Sequence, residues 1–209
     1  MKAFDIITET DARTLEIGSS VTLKPGGHVT PLAADTLTAR RITVHRGVAD
    51  ASLDGLAPVA AIRVLAIGSD HGGVALKAAL RDYLRQKGLS VLDVGTDGPD
   101  AVDYPDIAAQ AARLVARQEV DAAIVIDGAG IGSAIAANKI DGVRAAVCND
   151  QTMARYAREH NGANVLTLGA TLITADEAKA IVDTWMGTPM GEARYLRRLA
   201  KIRALEKTQ

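Results

Sequence analysis

One stretch of the chain, residues 122–139, reads AAIVIDGAGIGSAIAANK. It opens with five apolar residues, three of them β-branched, which is the pattern of a strand buried on both faces. Glycines at 128, 130 and 132 then mark a tight turn, and the small residues after them favour a helix. A buried strand that runs through a turn into a helix is the repeating unit of a parallel α/β sheet.

The same alternation extends over most of the chain after residue 60. Further strands are predicted at 63–68, 90–94, 143–148 and 164–168, and further helices at 73–87, 103–118, 151–160, 175–186 and 191–207. Strands that alternate with helices are joined by right-handed crossovers into a parallel sheet covered on both faces. We therefore expect an α/β fold, a Rossmann-like three-layer α/β/α sandwich with a five-stranded parallel sheet.

The composition excludes several classes of protein. The formal net charge is −1, so the chain lacks the basic surface that binds nucleic acid or an anionic membrane. No apolar run approaches the ~18 residues that a membrane-spanning helix requires. The single cysteine, Cys148, excludes an internal disulfide and a cysteine-based metal centre, and we expect it to pack as a small hydrophobic residue. Without an apolar signal-peptide core near Met1, the expected location is cytoplasmic.

A run of small residues separates the α/β pattern from what precedes it. Residues 47–58 end at Pro58 and have the composition of a linker. We therefore predict a small N-terminal extension over residues 1–58 and the larger domain over residues 59–209.

Short strands are predicted within the extension at residues 21–23 and 42–44. Between them, residues 31–37 favour one or two helical turns, and Pro25 with Gly26 predicts a turn directly after the first strand.

The glycine turn is the first candidate for chemistry. A turn that opens a helix leaves backbone N–H groups unpaired, and the helix dipole favours negative charge there. Such donors could hold a phosphate or the oxyanion of an enediolate. Asp127, directly before the turn, either moves a proton or simply caps the helix. For proton transfer, we expect partial burial to raise the pKa of Asp127 toward neutrality.

Five short motifs occur in a fixed order after residue 60. They are GSDHGG at 68–73, VDYP at 102–105, the glycine turn with IAANK at 135–139, GVRAA at 142–146 and REHNGANV at 158–165. In this order they resemble the ribose-5-phosphate isomerase B and galactose-6-phosphate isomerase family, over about residues 62–206.

The resemblance implies a metal-free aldose-ketose isomerase that opens a furanose sugar phosphate and shifts a proton through a cis-enediolate. Ribose 5-phosphate is the default substrate, and no cofactor is implied. Two alternatives stay open: an isomerase of a tetrose or hexose phosphate, and a sugar-phosphate-binding subunit without activity.

The resemblance also implies roles for individual residues. The implied catalytic residues are Asp127, His160 for ring opening, and Asp70. The implied substrate-binding residues are His71, Tyr104, Gly128, Gly130, Ile131, Gly132, Asn138, Lys139, Asn161, and the phosphate-gripping pair Arg194 and Arg198. From the residues alone, His160 could instead cap its helix, and the two arginines could belong to a solvated basic face.

Four positions depart from the family pattern. Asp127 stands where many members have a cysteine base, and Ala129 stands where they have a threonine. Ser133 occupies the position of a glutamate base in some relatives. Thr171 replaces a frequent arginine after the last strand. These changes leave the base and the substrate open.

Partners follow from the same resemblance. In the family the site lies between two subunits, which implies a homodimer or a tetramer with shared sites and a small sugar phosphate as the ligand. Residues 29–35, VTPLAAD, are similar to a segment of accessory proteins of bacterial microcompartments. The extension is therefore either a docking module for a shell or partner enzyme, with a location inside the microcompartment, or an appendage that enlarges the dimer interface.

Overall fold

A computed structural model describes residues 3–46, 56–59, 61–190 and 193–206. The chain divides into two compact units, Met1–Leu56 with Glu192–Ile202, and Ala57–Gly191 with Arg203–Gln209. Most of the predicted linker, residues 47–55, lies outside the described residues.

The first unit contains a three-stranded parallel sheet in the order β1-β2-β3. Its elements are β1 (Ala3–Ile7), α1 (Glu9–Thr14), β2 (Ser20–Val29), α2 (Pro31–Ala39) and β3 (Thr43–Arg46). Helix α2 and parts of β2 and β3 were predicted from the sequence, whereas β1 and α1 were not. A signal for α1 is present, because Thr8 and Asp11 form a reciprocal capping box at its start.

The predicted turn at Pro25 and Gly26 is wrong, because β2 continues through both residues. Phe4 pairs with Leu23 and Ile6 pairs with His28, so the intervening residues of β2 form a bulge opposite β1. Gly26 adopts φ 73°, a left-handed conformation that glycine accepts without a steric penalty. The proline and glycine therefore bend a strand that they do not end.

The last helix, α8 (Ala193–Glu206), contributes its first part to this unit. Tyr195 and Leu199, one helical turn apart, are both buried. Arg197 lies 3.6 Å from Asp5 of β1.

The larger unit contains the predicted five-stranded parallel sheet, in the order β5-β4-β6-β8-β7. In chain order its elements are β4 (Val64–Ser69), α3 (Val74–Gln86), β5 (Ser90–Asp93), α4 (Tyr104–Ala116), β6 (Ala122–Asp127), α5 (Ile131–Ala137), β7 (Ala145–Val147), α6 (Gln151–Glu159), β8 (Val165–Gly169) and α7 (Ala175–Gly187). The expected fold class is confirmed. The strand predicted at 143–148 is shorter, because a turn at Gly142 with φ 81° and a bond from Val143 N to Ile140 O precede it.

The central strand β6 is buried at all six of its positions. Ile124 and Ile126 belong to one hydrophobic cluster, with Trp185 of α7, while Ala123 and Val125 belong to the other. Because successive side chains of a strand point to opposite faces, the two clusters lie on the two sides of the sheet. This is the arrangement that the apolar run before the glycine turn predicts.

Candidate active site

The carboxyl ends of the parallel strands meet at one side of the sheet, here called the carboxyl edge. Ser69 of β4 pairs with Ile126 of β6, and Asp127 pairs with Gly169 of β8. Asp70 follows directly after β4, and its N–H donates to Ile126 O at 3.2 Å. Asp70 and Asp127 therefore stand at the ends of adjacent strands, where ligands of open α/β sheets bind.

Asp127 is nearly buried and its carboxylate is fully occupied. Oδ1 accepts from Ala129 N at 2.8 Å and from Gly130 N. Oδ2 accepts from Ser133 N at 2.9 Å and from Ser133 Oγ at 2.5 Å. A carboxylate has about four lone-pair sites, so none is left for a further proton. The side chain caps the turn, which is the structural alternative that the sequence left open.

The expectation that burial raises the pKa of Asp127 toward neutrality is wrong. Desolvation by burial does raise the pKa, but the bonds from Ser133, Gly130 and Ala129 stabilise the charged form more. The pKa of Asp127 consequently lies below the ordinary value of an aspartate.

The turn keeps two backbone donors for a ligand. The Gly130 amide was predicted to face the substrate, but it donates its hydrogen bond to Asp127 Oδ1 instead. Ile131 N and Gly132 N, at the start of α5, have no acceptor among the described residues. Gly130 has φ 77°, and a Cβ there would lie 2.9 Å from the Val147 side chain, so both conformation and space require glycine.

Asp70 differs from Asp127 in its hydrogen bonding. Its Oδ1 accepts from Gly72 N at 3.0 Å and from Gly73 N at 3.1 Å. No donor among the described residues binds Oδ2, and the residue is 9% exposed. Asp70 therefore holds one carboxylate oxygen with free lone pairs at the carboxyl edge.

Tyr104 and His71 are also placed near this edge. The Tyr104 ring packs against Gly132, where an added Cβ would lie 2.5 Å from ring carbons. His71 Nδ1 accepts from Val102 N at 3.4 Å, which leaves Nε2 as the ring's donor. The structure thus brings together Asp70, His71, Tyr104 and the glycine turn.

His160 and Asn161 lie at the opposite, amino edge of the sheet. Helix α6 runs back along the sheet, and the chain then enters β8 through Asn164, whose N–H donates to Arg144 O just before β7. Since β8 has five residues, the two edges are separated by roughly 15 Å at ~3.3 Å per residue. Within one chain, the predicted ring-opening residue therefore does not reach Asp70.

Local contacts hold these two residues. The His160 ring stacks on Tyr156 with centroids 4.8 Å apart, and His160 Nε2 lies 3.7 Å from Glu159 Oε1. Asn161 Nδ2 donates to Tyr156 O at 3.0 Å.

Asn138 and Lys139 were predicted to bind substrate, but they follow α5 and lie at its far end from the glycine turn. The Asn138 side chain donates to Ala145 O at 2.9 Å and accepts from Ala145 N at 2.8 Å. Both of its polar atoms hold the start of β7, so its amide has a structural role in this chain. Asn138 and Lys139 therefore lie apart from the cluster around Asp70.

The predicted phosphate arginines belong to the first unit. The Arg194 side chain lies outside the described part of the structure. The Arg198 guanidinium is exposed and lies over the Tyr195 ring, 5.7 Å from its centroid.

Comparison with known proteins decides the family. The family described as Ribose/Galactose Isomerase matches residues 65–202. The chain belongs to this family. The resemblance that the five motifs predicted is therefore confirmed.

Individual members are similar over 81–98% of their own length. The chain is 41% identical to ribose-5-phosphate isomerase B of Escherichia coli K12 over 145 residues, 69% of this chain and 97% of the relative. It is 41% identical to D-erythrulose-4-phosphate isomerase of Pectobacterium atrosepticum over 124 residues, 58% of this chain and 81% of the relative. The solved structure of Clostridium thermocellum ribose-5-phosphate isomerase B aligns with a TM-score of 0.68 and 47% identity, covering 69% of this chain and 98% of that one.

Cys148 packs as a small residue of the hydrophobic core, as its sequence context predicted. It is buried in the core, and desolvation, with a smaller contribution from Asp150, raises the pKa of its thiol to about 12. A thiol of this kind stays protonated and unreactive at neutral pH.

The contacts that support the glycine turn could not be predicted from the sequence. Thr171 Oγ1 donates to Gly128 O at 2.6 Å, and Thr171 N donates to the same oxygen at 3.1 Å. Thr171, which stands where many family members have an arginine, therefore fixes the backbone of the glycine turn. No sequence signal pointed to this contact, because Thr171 and Gly128 are joined only by the pairing of β6 with β8.

Two features are absent from the described ranges. None of their helices is long and apolar enough to cross a bilayer. In the same ranges, His, Cys, Asp and Glu side chains form no group of three that could hold a metal ion.

Proposed function

We propose that this protein interconverts an aldose phosphate and the corresponding ketose phosphate, with ribose 5-phosphate and ribulose 5-phosphate as the pair. One observation carries the proposal: Asp70, with an unoccupied carboxylate oxygen, stands beside two backbone amides that lack an acceptor in the described structure. Relatives named for ribose 5-phosphate isomerisation match the chain over nearly their full length, which supports the choice of substrate.

The reaction needs a base and donors for a developing negative charge. A base removes the proton from C2 of the open-chain aldose, and the electron pair forms an enediolate across C1 and C2. The amides of Ile131 and Gly132 would stabilise its oxyanion. The hydroxyl proton on O2 then passes to O1, and the base returns its proton to C1, so that C2 becomes the carbonyl carbon of the ketose.

We assign the base to Asp70 rather than to Asp127. A base needs a free lone pair within reach of the proton, and Asp127 has none because four donors fill its carboxylate. Asp127 would instead hold the amide turn in shape. The sequence-based assignment of Asp127 as base thereby becomes the alternative to be tested.

Two substitutions separate these roles. Asp70→Asn should lower kcat by roughly 10²–10⁴-fold, the usual contribution of a general base, with little change in thermal stability. Asp127→Asn should lower stability together with activity, because it leaves hydrogen-bond donors facing the new amide group. If Asp70→Asn kept normal solvent-deuterium incorporation into the sugar, Asp70 would not be the base.

His160 and Asn161 would act from a second copy of the chain. Because they lie at the amino edge, a site that contains both Asp70 and His160 requires two subunits, which supports a homodimer with shared sites. Mixed dimers test this. Asp70→Asn and His160→Ala are each inactive in this scheme, but refolding them together should restore about a quarter of the normal activity, since half of the dimers carry one intact site. A site within one chain would give no recovery.

A tetrose phosphate is the second candidate substrate. It is favoured by the relative named D-erythrulose-4-phosphate isomerase and by the two departures Ala129 and Thr171 at the turn. The purified protein should be assayed against four-, five- and six-carbon aldose phosphates, with solvent-deuterium incorporation as the readout. The highest kcat/KM identifies the substrate, and binding without incorporation would indicate a non-catalytic subunit.

The N-terminal unit supports a separate proposal about location. We propose that it docks the enzyme to a microcompartment shell or a partner enzyme, on the basis of the VTPLAAD segment, which runs from the end of β2 through the N-cap Thr30 into the start of α2. A fluorescent fusion without residues 1–55 should then become diffuse in the cytoplasm. Unchanged location, with a change in dimer affinity, would favour the interface alternative.

A further inference from the structure

A cluster of four charged side chains lies beside the candidate site without belonging to it. Lys77 Nζ on α3 contacts Asp93 Oδ1 at 2.7 Å and Asp97 Oδ1 at 2.8 Å. Arg81, one helical turn further, contacts Asp93 Oδ2 at 3.0 Å and lies 3.8 Å from Asp97 Oδ1. The cluster joins α3 to the end of β5 and to the loop that follows it.

Lys77 is the unusual member of this cluster. Its side chain has 0% exposure, whereas the side chain of Asp97 is 76% exposed. A buried ammonium group is costly unless it is paired and hydrogen-bonded, and a hydrophobic residue of similar volume would avoid that cost. Stability alone therefore does not explain a charged residue at position 77. Its two partners, Asp93 and Asp97, indicate which part of the chain it positions.

The two partners tie Lys77 to the loop of residues 94–103, because Asp93 directly precedes this loop and Asp97 lies within it. Besides Lys77, Asp93 Oδ1 accepts from Gly95 N at 3.1 Å. The loop backbone then passes so close to β4 that a Cβ on Gly95 would lie 2.3 Å from Ser69 N. Thr96 N donates to Ser69 O at 3.2 Å. The first half of the loop is thus fixed next to the residue that precedes Asp70.

The second half of the same loop delivers the site residues. Val102 N donates to His71 Nδ1, and two residues later the Tyr104 ring covers Gly132. The bond from Val102 selects the tautomer in which His71 Nε2 carries the proton. If the loop shifted, the bond from Val102 to His71 would be lost, so His71 would no longer be held in one tautomer. The Tyr104 ring would also lose its place over Gly132.

We propose that Lys77 is a positioning residue, which acts through Asp93 and Asp97 to hold the 94–103 loop so that His71 and Tyr104 are preorganised for the substrate. The effect on substrate rests on the proposed function. The effect on loop order does not, because it concerns only Val102 and His71.

Asp97→Asn is the decisive variant. Asp97 is exposed, so its replacement keeps the fold while removing one of the two carboxylates that pair with Lys77. Asp82→Asn is the matched control, because Asp82 is also exposed, at 63%, and contacts Arg81 without contacting the loop. Asp97→Glu restores the charge and should restore the wild-type behaviour.

Three measurements report the order of the loop and the binding of substrate separately. In Asp97→Asn, amide exchange of Val102 should be roughly tenfold faster, as expected for a backbone bond that opens more often. The ¹⁵N shifts of His71 should report a mixture of tautomers. KM for ribose 5-phosphate should rise roughly tenfold while kcat changes less than about twofold, because the base and the turn amides are untouched.

The outcomes are distinguishable. Wild-type exchange and shifts in Asp97→Asn would overturn the proposal, as would equal effects in Asp82→Asn. A changed exchange rate and tautomer in a protein that isomerises no sugar phosphate would support the positioning of the loop and reject the proposed function. A general fall in stability without rescue by Asp97→Glu would show a structural role only and would also overturn the proposal.

Discussion

The Tyr104 ring lies against the backbone of Gly132, so closely that a Cβ on this glycine would be 2.5 Å from two ring carbons and 2.8 Å from the hydroxyl. The contact joins the start of α4 to the start of α5, although the two residues are far apart in the sequence. The ring therefore forms an aromatic wall beside Gly132 at the start of α5.

Gly132→Ala should displace Tyr104 and lower kcat/KM. Overpacking of this kind costs about 1–3 kcal/mol of stability, which a melting curve will detect. Gly128→Ala is the matched control for space, because nothing lies within 4 Å of a Cβ at that position. The double variant Gly132→Ala with Tyr104→Ala should recover stability but not activity. An unchanged melting temperature in Gly132→Ala would contradict this packing.

Asp127 should make the stability depend on pH in the acid range. Its pKa is lowered in the folded state, so its contribution is present above the unfolded value of about 4 and is lost as the pH falls through the folded value. In Asp127→Asn this dependence should be weaker as the pH falls below about 5. Asp35→Asn, at an exposed position, serves as the control, and an identical pH profile for both variants would refute the role of the cap.

Cys148 should be inert in the native protein. Because burial raises the pKa of its thiol to about 12, iodoacetamide at pH 8 should label the unfolded chain but not the folded one. Cys148→Ala should keep kcat within about twofold. Rapid labelling with loss of activity would mean that the thiol reaches the substrate.

Thr171→Val should loosen the glycine turn. The variant keeps the shape of the side chain but loses the 2.6 Å bond to Gly128 O, a change worth about 1 kcal/mol of stability. Thr171→Ser keeps the hydroxyl and should behave like the wild type. Equal melting temperatures and equal kcat/KM for the two variants would show that this bond has no effect.

Much of the larger unit could be predicted from local patterns. The apolar run 122–126 and the glycines after it predicted a buried strand and a turn, and the structure buries that strand on both faces. In the first unit the same reasoning failed at Pro25 and Gly26, because β2 pairs with β1 before and after these residues, which form a bulge within the strand and do not end it. The intrinsic preference of a short segment was overridden by its neighbours in the sheet.

The types of residue in the site could be predicted from the sequence, but their hydrogen bonds and their positions relative to one another could not. Asp127 was chosen as a base because a carboxylate after a strand can move a proton, but the fold of the turn placed four donors around it. His160 and Asn161 were correctly placed at a helix end, yet the direction of α6 puts them at the other edge of the sheet from Asp70.

By itself, the sequence determined the alternation of strands and helices, the family, and the presence of carboxylates and glycines after the strands, because hydrophobic periodicity and motif order are local properties. Only the tertiary structure decided which carboxylate keeps a free oxygen, which amides remain unpaired, and how Lys77 reaches the loop before Tyr104. These depend on hydrogen bonds between residues that are distant in the chain, and such bonds are set by how the strands and helices pack.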